Sequence, residues 1–144
     1  MAQDLTAFFA GNAISIENVK YVASKRFIDP ETKTPIEWEL SAIESTTDEE
    51  IRRECTYKRP IPGKRGQTTN ELDFDKYIGR LCARCTVYPN LNNAELQNSY
   101  GVKDADSLLK KMLNVGEYAE YKAKVMEING FDTSMDELVD EAKN

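Results

Sequence analysis

Apolar and polar residues alternate in two early stretches of the chain, and further along the apolar ones recur at steps of three and four. Val19, Tyr21 and Ala23 alternate with Lys20, Val22 and Ser24 inside a run from Ile16 to Phe27 that is rich in β-branched and aromatic residues. Ile36, Trp38, Leu40 and Ala42 alternate with Glu37, Glu39 and Ser41, and the turn-prone sequence Asp29-Pro30-Glu31-Thr32-Lys33-Thr34-Pro35 separates the two runs. A strand keeps its side chains on alternate faces, so these periods predict a β-hairpin over residues 14–45. Before it, Leu5, Phe8 and Phe9 share a face if residues 2–10 are helical. Gly11-Asn12 stops that segment and leaves residues 1–13 as an N-terminal arm.

The helical period takes over in residues 46–130. Thr47 followed by Glu50 has the spacing of a capping box and predicts a helix from there to about Tyr57. Phe74, Tyr77, Ile78, Leu81, Cys82 and Cys85 form one apolar stripe, closed by Pro89. Asn93 caps a short helix ended by Gly101, and Asp104 starts another that carries Leu108, Leu109, Met112 and Leu113. Asn114 with Glu117 opens a helix whose stripe is Tyr118, Tyr121, Val125 and Ile128, ending near Gly130. Residues 58–70 show neither period. Pro60, Pro62, Gly63 and Gly66 among basic and polar residues predict a long loop. Ser134 with Glu137 marks a last helix, Met135 to Lys143, in an acidic C-terminal segment 131–144. With no internal repeat, the expectation is one domain over 1–144 of class α+β, an N-terminal β-hairpin followed by a mainly helical bundle.

Composition narrows the function. The chain has 144 residues, 31% of them charged, with 25 acidic against 19 basic and a formal net charge of −6. Such a surface repels phosphate backbones unless its cations gather on one face, so nucleic acid is not an expected partner. No basic leader and no run of about 18 apolar residues is present, so no membrane association is expected and the cytosol is the expected location. Three cysteines suit a reducing compartment. The chain has no histidine, which removes Ser-His-Asp and Cys-His chemistry from within it.

The remaining motifs read better as structure than as chemistry. Cys82-Ala83-Arg84-Cys85 has the spacing of a metal or redox pair, yet structural zinc takes four ligands and only Cys55 remains. A redox thiolate also needs a helix N-terminus, and Cys82 falls in mid-helix, so both thiols are expected in the core as small apolar groups. The basic run Arg52, Arg53, Lys58, Arg59, Lys64, Arg65 lacks interleaved aromatics, and Gly63-Lys64-Arg65-Gly66 misses the phosphate-loop pattern. A solvated loop accounts for it. No cofactor, metal site or catalytic pair is expected.

Several stretches in order resemble the tail assembly chaperones of contractile-tailed phages and PBSX-type defective prophage particles. They are Ser24-Lys25-Arg26-Phe27, Tyr88-Pro89-Asn90-Leu91 running into Ala94-Glu95-Leu96-Gln97-Asn98-Ser99-Tyr100-Gly101-Val102, Leu108-Leu109-Lys110-Lys111-Met112-Leu113 followed by Gly116-Glu117-Tyr118, and Glu127-Ile128-Asn129-Gly130-Phe131. The resemblance covers about residues 5–132 and implies a non-enzymatic protein that binds the tape measure protein, the long helical chain that sets tail length. It further implies absence from the mature particle, possible self-association, and a second, longer product made by ribosomal frameshifting near the Ala142-Lys143-Asn144 end. A structural tail or baseplate component is the alternative, with a thiol or zinc protein built on Cys82 and Cys85 behind it. The expected client contacts are Phe8 and Phe9 of the arm and the edge residues Met112, Tyr118, Tyr121 and Met126, since flexible Met and amphipathic Tyr suit a changing partner.

Overall fold

The structure, a computed structural model, describes residues 4–131. The two alternating runs meet as expected. Strand β1 (Val19–Tyr21) pairs antiparallel with β2 (Trp38–Leu40), in a register that sets Val19 opposite Leu40 and Tyr21 opposite Trp38. The polar face carries Lys20 opposite Glu39, joined by a 2.8 Å ion pair. Asp29 organises the turn between them: its carboxylate accepts from the amides of Glu31 (2.8 Å) and Thr32 (3.3 Å), and Lys33 takes the left-handed conformation.

Both strands are shorter than the sequence pattern. The run from Ile16 to Phe27 is interrupted because the buried Ser24 accepts the Arg26 amide on its own hydroxyl at 3.2 Å, a local turn that competes with the ladder. The sheet also has a third strand that periodicity did not announce. β5 (Thr86–Tyr88) lies antiparallel on the far side of β2, giving the order β1-β2-β5. Three residues between a helix and a proline are too few to show a period.

Five α-helices are found among the described residues. The first, α1 (Ser45–Glu54), starts two residues before the predicted cap at Thr47, so the Thr47–Glu50 capping box does not form. Its last turn closes where the Thr56 hydroxyl donates to the Arg52 carbonyl at 2.7 Å, three residues short of Tyr57. Helix α2 (Phe74–Cys85) begins at Asp73, whose carboxylate accepts the Lys76 amide. The predicted caps hold for the remaining three: Asn93 for α3 (Ala94–Ser99), Asp104 for α4 (Ala105–Met112), and the reciprocal Asn114 and Glu117 box for α5 (Val115–Ile128). Gly101 and Gly130 follow their helices at φ of 70° and 82°, a conformation with no steric penalty for glycine.

The predicted loop 58–70 is instead a second hairpin. β3 (Thr56–Pro60) and β4 (Thr68–Leu72) pair antiparallel in continuous register, Thr56 opposite Leu72 through Pro60 opposite Thr68. Glu71 accepts from the Tyr57 hydroxyl and from Arg59 Nε, each at 3.1 Å, and locks one face. Gly63 and Gly66, both at φ 77°, shape the tip. The hairpin escaped the pattern because it is exposed on both faces and so has no apolar period to show. The arm is not an α-helix but a single 3-10 turn at Thr6–Phe8. The helix expected over Met135 to Lys143 lies outside the described residues.

One apolar core unites these pieces. Trp38 and Leu40 of β2 meet the α2 stripe (Tyr77, Ile78, Leu81, Cys82, Cys85), the α4 stripe (Leu108, Leu109, Met112) and the α5 stripe (Tyr121, Val125, Met126). Aromatic edges order its centre, with Trp38 5.6 Å from Tyr121 in a T-shaped contact and Phe27 6.1 Å from Trp38.

Candidate client-binding surface

The residues expected to meet a partner divide into two groups. Phe8 and Phe9 stand in solvent, 80% and 59% exposed. They are displayed by a local network: the Asp4 carboxylate accepts the Thr6 amide at 2.9 Å, the Phe9 amide donates to the Thr6 carbonyl at 3.2 Å, and Asn12 Nδ2 donates to that same carbonyl at 2.8 Å. Leu5, Ile14 and Ile16 are also largely exposed. Residues 5–16 carry no charged side chain at all, in a chain with 31% charged residues. An uncharged stretch holding five exposed large apolar side chains is the kind of surface that marks an interaction site.

Met112, Tyr121 and Met126 are core residues, not edge residues. The stripe faces inward because β2, α2 and α4 all pack against it, and the Thr86 hydroxyl, which donates to the Cys82 carbonyl at 2.8 Å, accepts a short hydrogen bond from the Tyr121 hydroxyl. Tyr118 sits at the border with a half-exposed ring, but its hydroxyl turns inward over Gly79, buried and without a hydrogen-bond partner among the described residues. Lys122 Nζ lies 4.9 Å from the ring centroid and covers it on the outside. The period puts both tyrosines on the apolar face of α5 but does not say how deeply β2, α2 and α4 cover that face.

Cys82 and Cys85 are fully buried on the inner face of α2, and burial pushes both thiols above their ordinary range. Asn129 Nδ2 lies 3.4 Å from Cys85 Sγ. Neutral, enclosed thiols pack as small apolar groups. Among the described residues, no group of three or more Cys, Asp or Glu side chains could hold a metal ion. A groove of about 820 Å³ between α1, α2 and α4 is lined by Ile51, Gly79 and Ala83 and by many charges. Arg80 spans it, bridging Glu54 at 2.5 Å and Asp106 at 3.4 Å.

Several residues of the stretches that carry the family resemblance bind the body to itself. Arg26 donates a short hydrogen bond to the Met112 carbonyl and pairs with Glu117 at 3.2 Å, so it ties the N-terminal region to the junction of α4 and α5. Gln97 holds the Leu91 carbonyl at 2.8 Å. Asn129 accepts the Ile43 amide at 3.0 Å and donates to the Val125 carbonyl at 2.8 Å, fixing the end of α5 to the entry of α1.

These features define a small α+β protein whose signature residues stabilise its body while an ordered apolar arm faces solvent. Comparison with known proteins gives the class a name. The chain belongs to the family of phage XkdN-like tail assembly chaperone proteins, whose model matches residues 5–143. It is 37% identical over 142 residues to the uncharacterized protein YqbN of Bacillus subtilis strain 168, covering 98% of this chain and 93% of that one. It is 34% identical to the phage-like element PBSX protein XkdN of the same strain, covering 98% and 94%. The crystal structure of YqbN superposes with a TM-score of 0.78 at 33% identity, over 92% of this chain and all of that one.

Proposed function

We propose that this protein binds the tape measure protein of its own particle and keeps it soluble until the tail tube assembles around it. The observation that carries the reading is the uncharged arm, with Phe8 and Phe9 held outward by the Asp4, Thr6 and Asn12 network. A long helical client that waits for its tube exposes apolar surface and aggregates through it. Covering that surface with exposed aromatics lowers the concentration of free client. Each arm offers a modest contact, and several copies along one client give retention together with stepwise release to tube subunits.

In this reading the protein acts in the host cytoplasm, performs no catalysis and leaves before the particle is complete. Phe8 and Phe9 touch the client directly and Tyr118 adds the exposed part of its ring. Met112, Tyr121 and Met126 contribute by holding the body rigid, or reach the client only if the body opens. The test is co-expression with the tape measure protein from the same gene cluster, scoring soluble client and co-purification for wild type and for the F8A/F9A variant. Rescue by wild type and its loss in the variant are the expected results. An insoluble, unbound client with wild type present overturns the proposal, and recovery of the protein from purified particles points instead to a structural tail component.

A further inference from the structure

The hairpin β3–β4 contributes little to the core, yet it is held in a defined shape. Its tip is ordered by the Ile61 amide on the Gln67 carbonyl (3.1 Å) and the Lys64 amide on the Ile61 carbonyl (3.2 Å). Lys58, Arg59, Lys64 and Arg65 stand on it against the single carboxylate of Glu71. That is +3 on a chain of −6, so the remainder of the chain carries −9. Arg59 is taken up by Glu71, whereas Lys58, Lys64 and Arg65 are exposed and form no ion pair among the described residues. The tip also offers Ile61 between Pro60 and Pro62, so an apolar centre is flanked by cations.

A matching surface lies at the other end of α1. A groove of about 340 Å³ has Ile43, Leu81 and Phe131 among its lining residues and Glu44, Asp48 and Glu49 around them. Asp48 is already held by Arg52 at 2.9 Å and by the Tyr77 hydroxyl at 2.5 Å, which leaves Glu44 and Glu49 exposed without an ion pair among the described residues. The groove has the tip's pattern with the sign of charge reversed.

We propose that the basic tip of β3–β4 docks in the Glu44–Glu49 groove of a second copy of this chain. Ten residues of α1, about 15 Å of helix, separate the groove from the hairpin's base. The contact therefore joins two different surfaces, either head to tail along a row of copies or reciprocally in a pair where each tip enters the other's groove. Charge steers the encounter and salt weakens it. An acidic body disfavours nucleic acid as the occupant of this tip, and no exposed aromatic lies at the tip itself to stack on a base.

The test is sedimentation of the full chain over a range of micromolar concentrations at ~20 mM and ~500 mM salt, a change that shortens electrostatic reach severalfold. Wild type is expected to show at least about a twofold rise in mean mass at low salt, reversed at high salt. The K64E/R65E and E44K/E49K variants, all at exposed positions outside the core, should each remain monomeric with unchanged circular dichroism and melting temperature. An equimolar mixture of the two variants should associate again, because each hairpin then meets a groove of opposite charge. A wild type that stays monomeric at low salt overturns the proposal. So does association that neither variant disturbs, failure of the mixture to associate, or binding of the hairpin to an added oligonucleotide in place of self-association.

Discussion

The helical body and its two appendages are ordered by different means. In the body, Trp38, Leu81, Cys82, Tyr121 and Val125 are shut away from water, and long-range ties such as Arg26 to the Met112 carbonyl and Asn129 to the Ile43 amide join elements distant in sequence. The arm and the β3–β4 hairpin are held by short-range hydrogen bonds, and they leave Phe8, Phe9, Lys64 and Arg65 in solvent. Family signature residues fall mainly in the body, so they report how this fold is held together. Met112, within the 108–113 stretch, is one of them, and Tyr121 and Met126 of the neighbouring α5 stripe are buried beside it.

The contrast can be broken by substitution. Trp38→Ala should have the largest effect on stability, about 3–5 kcal/mol from lost burial and a cavity, read by urea denaturation. Asn129→Ala removes a half-buried acceptor from the Ile43 amide and should cost about 1–2 kcal/mol, with the entry of α1 losing hydrogen-exchange protection first. Alkali sharpens the same point. Burial raises the Cys82 and Cys85 thiols above the ordinary 9.0, so the folded state keeps protons that the unfolded chain releases. Their contribution is full below pH 9 and falls above it, by about 1.4 kcal/mol per pH unit for each thiol, and native thiols should react slowly with a disulfide reagent until the protein unfolds.

Smaller effects separate the two helix-α5 tyrosines. Tyr121→Phe should cost about 1 kcal/mol by removing the bond to Thr86, whereas Tyr118→Phe deletes an unpaired buried hydroxyl and should be neutral or stabilising in the same titration. The F8A/F9A change should move stability least, within about 0.5 kcal/mol, while abolishing client co-purification. A large loss of stability in that variant would erase the distinction between body and arm.

What was legible in the sequence follows the same division. The α2, α4 and α5 stripes and the caps at Asn93, Asp104 and Asn114 could be read because each buries one face or satisfies identifiable amides. The hairpin at 56–72 could not, since no burial imposes alternation there; Tyr57, Thr68 and Thr69 were the faint signal of β propensity. Nor could β5, which exists because β2 has a second free edge, a fact of tertiary structure. For the site, exposure of Phe8 and Phe9 was foreseeable from an arm rich in apolar residues and bounded by Gly11. The depth of Tyr121 depended on which elements cover α5, which periodicity alone does not say.

The strand order β1-β2-β5 also bears on synthesis. β2 cannot be flanked on both sides until Thr86–Tyr88 has been made, after all of α1, the basic hairpin and α2. At about 5–20 residues per second the ribosome needs several seconds to reach that point. The apolar arm is made before β2, so it is present while Trp38 still lacks its full cover. The arm can therefore meet a partner during synthesis, before the core that it extends from is complete.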